Sequence, residues 1–206
     1  MEREIELQFS QEVLDKAATR FGMSTESLKF LGDFENYVYE GKIDGVNYVL
    51  RLTHSSHRST NMVLGELEWI SYLAKNGVNV SKPLHSASGR VAEEVHVGAD
   101  YFVASAFEKA KGRLLDRKNP LEPTREVITE WGRTIGKMHR ATKHFEPSDE
   151  KFRRPQWFED DLLCFEKHLP KEDEHIVNIG YSLLEYAKSL PQSKDNYGLI
   201  HTDVHS

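Results

Sequence analysis

The sequence predicts an α+β chain in two lobes: an antiparallel-sheet lobe carrying one long helix, then a partial helical lobe. Three observations carry this. An Asp44-Gly45 pair sits between two β-rich runs; a long amphipathic helix separates that hairpin from a second β-rich pair; and beyond Thr124 the apolar spacing is mostly helical. The lobes divide as residues 1–108, a polar hinge at 109–113, and 114–206.

In chain order, Ser10 caps a short helix whose Val13, Leu14, Ala17 and Phe21 share a face, and Gly22 ends it. The runs Asn36–Glu40 and Val46–Leu52 form a hairpin, because Asp and Gly tolerate the positive φ of a two-residue turn. A helix over roughly Thr60 to Lys75 gathers Val63, Leu67, Ile70, Leu73 and Ala74 on one side. Glu66 lies beside that stripe, whereas Glu68 points to the far side and to water. A carboxylate near a buried face needs a cation, and Arg51 on the neighbouring strand is the natural partner. Val91–Val97 and Tyr101–Phe107 form the second hairpin. Ile128, Trp131, Ile135, Met138 and His139 mark the first helix of the second lobe, with two more expected over about Pro155–His168 and Glu172–Leu190.

Composition narrows the function. With 27 Lys and Arg against 33 Asp and Glu, the chain carries a net charge of −6, which argues against a dedicated nucleic-acid partner. The basic run Lys109, Lys111, Arg113, Arg117 and Lys118 reads as a solvated linker. No stretch approaches the ~20 apolar residues of a membrane span. The start of the chain is acidic, without the apolar segment of a secretory signal. Cys164 is the single cysteine, so no intrachain disulfide forms, and a cytoplasmic setting is expected. His54, His57, His139 and His144 read as packing or surface residues.

The chemistry-bearing segment is His201-Thr-Asp203-Val-His205. By itself it has three readings. Two imidazoles and a carboxylate at alternate positions can hold a metal. An aspartate there can open a phosphoryl-transfer loop, orienting and deprotonating an attacking hydroxyl. Or the histidines merely bond to backbone in a polar loop.

Taken together, the segments resemble the aminoglycoside phosphotransferase and choline kinase-like family, relatives of the protein kinases, and do so in order along essentially the whole chain. Leu31-Gly-Asp-Phe-Glu-Asn36-Tyr-Val-Tyr39 is similar to the nucleotide-covering loop, although only Gly32 stands where protein kinases are glycine-rich. Tyr48-Val-Leu-Arg51 resembles the strand bearing the phosphate-binding cation, usually lysine in protein kinases. The segment from Glu66 to Leu73 resembles the helix whose glutamate braces that cation. Val78–Pro83 resembles the strand entry after it, Tyr101–Gly112 the last strand and the adenine hinge, and Gly132–His139 the leading helix of the second lobe. Ile200–His205 is similar to the His-Gly-Asp-x-His-x-x-Asn loop, with Thr202 in place of glycine.

The resemblance implies a protein kinase-like fold and an ATP-dependent phosphotransferase, with GTP as the alternative nucleotide, moving the γ-phosphoryl group to a hydroxyl of a small molecule. It implies Arg51 on the α/β-phosphates, Glu66 bracing it, Asn36 in the covering loop, backbone groups of Glu108 and Ala110 on the adenine edge, Asp203 on the acceptor hydroxyl, and His201 in a structural role. Mg2+ ligands in this pattern are an Asn five residues after the aspartate and a later Asp, both expected beyond residue 206. The 206-residue chain is therefore expected to lack appreciable kinase activity, and to self-associate through uncovered apolar surface on its second lobe. Two other functions compete: a non-catalytic nucleotide-binding or protein-interaction fragment, and a metal-dependent hydrolase using His201, Asp203 and His205.

Overall fold

Five strands pair into one antiparallel sheet: β1 (Lys29–Gly32), β2 (Tyr37–Ile43), β3 (Val46–His54), β4 (Glu93–Val97) and β5 (Asp100–Glu108), in the order β1-β2-β3-β5-β4. The helices are α1 (Arg3–Gln8), α2 (Gln11–Arg20), α3 (Thr60–Lys75), α4 (Arg125–Thr142), α5 (Phe165–His168) and α6 (Glu174–Ser189). These come from a computed structural model, which describes residues 2–113, 115, 116, 118, 119 and 121–203. Arg117 of the basic run and His205 of the terminal motif lie outside the described residues.

The β2–β3 turn forms as its sequence requires, with Asp44 at φ 49° and Gly45 at φ 80°. Alternation along β3 then assigns each residue to a face. Tyr48, Leu50 and Leu52 join Tyr37, Phe102, Ala104 and Ala106 under the apolar stripe of α2, which buries Val13, Leu14, Ala17 and Ala18. Val49 joins Val103 and Phe107 on the other face, packed against Val63 and Leu67 of α3. Each fully buried Leu or Val contributes roughly 1.5–3 kcal/mol relative to exposure, so both helices are held by their stripes more than by propensity. Ser10, Ser59 and Thr124 each accept a hydrogen bond from the backbone N–H three residues on, which fixes where α2, α3 and α4 begin.

Two compact units result, Met1–Phe152 and Arg153–Ser206. The sheet ends at Glu108, the predicted lobe boundary, and the first compact unit continues to Phe152. It does so because the end of α4 and the segment after it are fastened to α3: the buried Trp69 Nε1 donates to Thr142 Oγ1 at 2.9 Å, and the rings of Tyr72 and Phe145 sit 5.2 Å apart. Glu68 is part of that fastening. Its carboxylate accepts from the Ser148 backbone N–H at 3.0 Å, which corrects the expectation that it faces water alone.

In the second unit, α6 matches the predicted last helix. The helix expected over Pro155–His168 is instead a series of short 3-10 turns leading into the four-residue α5. The cause is local. Gln156 and Glu159 close a capping box around the first turn, and Asp160 Oδ1 accepts from Leu162 N at 2.9 Å, so side chains take the backbone groups that a continuous helix would use. Gly180 in α6 is covered by the Phe165 ring, with 2.8 Å between that ring and the position a Cβ would occupy. Among the described residues no helix is long and apolar enough to cross a membrane.

Candidate functional site

Arg51 and Glu66 meet as their patterns predict. Arg51 lies on the α3 side of β3, one residue from the fully buried Leu50 and Leu52. Glu66 stands between the buried Gly65 and Leu67 of α3. Arg51 Nη1 donates to Glu66 Oε1 at 2.7 Å and Nη2 to Oε2 at 3.1 Å, a fork-to-fork pair whose side chains are 19% and 24% exposed. The guanidinium carbon also lies 5.0 Å from the centre of the Phe107 ring. The cation is thus gripped at its tip and against one face, partly withdrawn from water, where its charge acts through a lower dielectric.

The position of Glu66 depends on how closely α3 is seated. At Gly65 the Phe152 carbonyl oxygen comes within 2.1 Å of where a Cβ would stand, a distance that excludes every side chain. Glycine therefore lets the chain cross α3 one residue from the carboxylate.

The β1–β2 loop is anchored at two places. Thr53, two residues past Arg51 on the same face of β3, donates from Oγ1 to Asn36 Oδ1 at 2.6 Å. His57 Nδ1 lies 3.0 Å from the Glu35 carbonyl oxygen, and its Nε2 lies 3.0 Å from Glu2 Oε2. Phe34, at the loop tip, is 88% exposed. His54 is buried, with its Nδ1 2.7 Å from Ser56 Oγ, and burial lowers its pKa.

At the far end of β5, the Glu108 N–H donates to the Lys82 carbonyl at 2.9 Å, while Leu84 N–H donates to the Ala106 carbonyl at 2.8 Å. The N–H of Glu108 is therefore occupied, and Ala110 follows in an exposed segment. Two of the linker charges beside it are paired: Lys109 Nζ reaches Glu40 Oε2 at 2.5 Å, and Arg113 pairs with Glu122. Asp203 belongs to the second unit. It is exposed, and its backbone N–H donates to His201 Nδ1 at 3.2 Å, so His201 shapes the turn that presents it.

The structure thus joins Arg51 to Glu66 directly, ties Asn36 to the same strand face, and leaves Glu108 and Ala110 at the strand end. Sequence reasoning passed over Thr53, Ser105 and Phe107. Once Arg51 fixes the face, the period of two places all three on it: Thr53 along β3, and Ser105 and Phe107 across on β5, paired with Arg51 and Val49. Among the described residues no cluster of three His, Cys, Asp or Glu side chains could hold a metal ion. The donor set for a divalent cation is not assembled there, and the His-x-Asp-x-His metal reading needs His205, outside those residues.

Comparison with known proteins follows the same lines. Residues 27–206 match the phosphotransferase enzyme family (APH). The amicoumacin kinase of Bacillus subtilis (strain 168) is 38% identical over 196 residues, covering 95% of this chain and 57% of that protein. A solved structure of the amicoumacin kinase hAmiN, in complex with AMP-PNP, Ca2+ and Ami, superposes with a TM-score of 0.91 at 34% identity, over 100% of this chain and 61% of that one. A microcompartment-associated aminopropanol kinase shares the fold, with a TM-score of 0.70 at 20% identity, over 93% of this chain and 61% of that one. The chain therefore spans about three fifths of the length of these relatives.

Proposed function

The chain belongs to the phosphotransferase enzyme family, and from that premise we propose that it is the nucleotide-binding part of an ATP-dependent kinase that phosphorylates a hydroxyl group of a small molecule. The observation that carries the reading is the Arg51–Glu66 fork. A buried ion pair adds little net stability, since desolvation offsets most of the attraction, so its value lies in holding a cation in one place. Phosphoryl transfer needs such a cation, because catalysis there is largely positioning and charge neutralisation.

In this reading Arg51 binds the α- and β-phosphate oxygens while Glu66 keeps its plane fixed. Asn36, with its oxygen occupied by Thr53, turns its amide N–H groups to the nucleotide. The Glu108 carbonyl and the Ala110 N–H meet the adenine edge. Asp203 accepts or orients the acceptor's hydroxyl proton. ATP is favoured over GTP by the AMP-PNP held by the hAmiN relative, and amicoumacin is the first acceptor to test. A divalent cation belongs to the reaction, as that relative's Ca2+ suggests.

The test is calorimetric titration with ATP and GTP of the protein and of Arg51→Met and Glu66→Gln variants. ATP binding that weakens at least tenfold in Arg51→Met supports the reading. Binding of equal strength in that variant overturns it.

A further inference from the structure

Two buried polar atoms on the α3 face of the sheet have no hydrogen-bond partner among the described residues: Arg51 Nε and Ser105 Oγ. They belong to residues directly opposite one another across β3 and β5. Ser105 is fully buried, at 0% exposure, among Val103, Ala104 and Ala106. One unsatisfied buried donor costs about 1–3 kcal/mol, and more on a charged group. Two of them on paired residues point to one shared partner.

Backbone geometry gives the distance to be spanned. Ala106 and Glu108 direct their backbone groups to residues 82–84, so the alternate residues of β5, Ser105 among them, bond to β3. Directly opposed residues place their Cβ atoms about 4.5–5.5 Å apart. One oxygen between them can accept from Arg51 Nε–H and share a proton with Ser105 Oγ.

We infer that Ser105 is a positioning residue for Arg51, acting through a single buried water that bridges its hydroxyl to the guanidinium Nε. The inference rests on the phosphate-binding role proposed for Arg51. Glu66 holds the Nη end and Phe107 supports one face. The bridge holds the Nε edge, so the cation can neither roll nor swing, and its outer Nη protons stay aimed for a phosphate. Serine fits because it alone combines a hydroxyl with the small volume that leaves room for the water; alanine leaves Nε unpaired, and valine fills the space.

The test is Ser105→Ala in the wild-type and Arg51→Lys backgrounds, read by thermal melting and by ATP titration. In the wild-type background Tm falls by about 2–4 °C, and the Kd for ATP rises roughly fivefold. In Arg51→Lys, which has no Nε–H at that place, both effects vanish. A Tm that stays level or rises with Ser105→Ala overturns the inference, because removing a truly orphaned hydroxyl relieves a desolvation cost. An unchanged Kd in a protein that binds ATP also overturns it. If the wild-type protein binds no ATP, the kinase reading fails instead, and the sign of the Tm change alone decides the bridge. The same sign decides it if Arg51→Lys does not fold.

Discussion

Thr53 and Asn36 join a buried strand to the loop that precedes it: the Thr53 hydroxyl, 1% exposed, donates to the Asn36 side-chain oxygen at 2.6 Å. The bond fixes which end of the Asn36 amide is spoken for, and it sits two residues from Arg51 on one face of β3. Thr53→Val keeps the shape and removes the donor. Its expected cost is about 1 kcal/mol of stability, by urea denaturation, together with a severalfold weaker ATP affinity as the loop loses its tether. ATP affinity at the wild-type value would show that the bond serves the fold alone.

Arg51 and Glu66 should respond unequally to conservative change. Glu66→Gln leaves a half-buried guanidinium without its counter-charge and is expected to cost about 3 kcal/mol. Arg51→Lys keeps the charge but gives up the two-pronged geometry, so it should cost less in stability than in nucleotide affinity. Melting and titration on the same two variants check the contrast, and equal losses in both measurements would contradict it.

The Glu93 carboxylate sets an acid limit on stability. It is 2% exposed. Burial pushes its pKa up, but hydrogen bonds from Ser86, Ser88 and Arg90 outweigh that and hold it at about 2, against an ordinary 4.5. The unfolded chain takes up a proton near pH 4.5 that the folded chain refuses until near 2. The contribution is therefore complete above pH 4.5 and is lost as pH falls through that window, to a total of about 3 kcal/mol. Urea midpoints between pH 6 and pH 3 should fall in wild type and fall less steeply in Glu93→Gln.

Along α6, Ile176, Ile179, Leu183 and Tyr186 lie at helical spacing and are exposed by 45%, 58%, 62% and 65%. A row of that length on one helix favours association between chains. Light scattering is expected to give a mass that rises with concentration, and Leu183→Glu should bring it to the monomer value. A concentration-independent monomer in wild type would refute this.

Legibility followed the source of each constraint. The Asp44-Gly45 turn, the α3 stripe and the Arg51–Glu66 pair were readable because each arises from local spacing or from a charge that needs a partner. Helix α1 escaped notice because six residues with a single buried side chain, Ile5, leave no periodic signal. The 155–168 segment misled because its apolar spacing is helical, while Gln156, Glu159 and Asp160 divert its backbone bonds. Ser105 was invisible because its significance depends on what faces it across the sheet. Glu68 failed similarly, since nothing near it in sequence announces Ser148.

The contact at Gly65 has an evolutionary corollary. What touches α3 there is the main-chain oxygen of Phe152, an atom that every amino acid supplies. Position 152 can therefore drift without loosening this seam, while position 65 cannot accept even a methyl group. A lineage that lost the glycine would have to re-route the incoming chain at residue 152 or let Glu66, the brace of Arg51, tilt away.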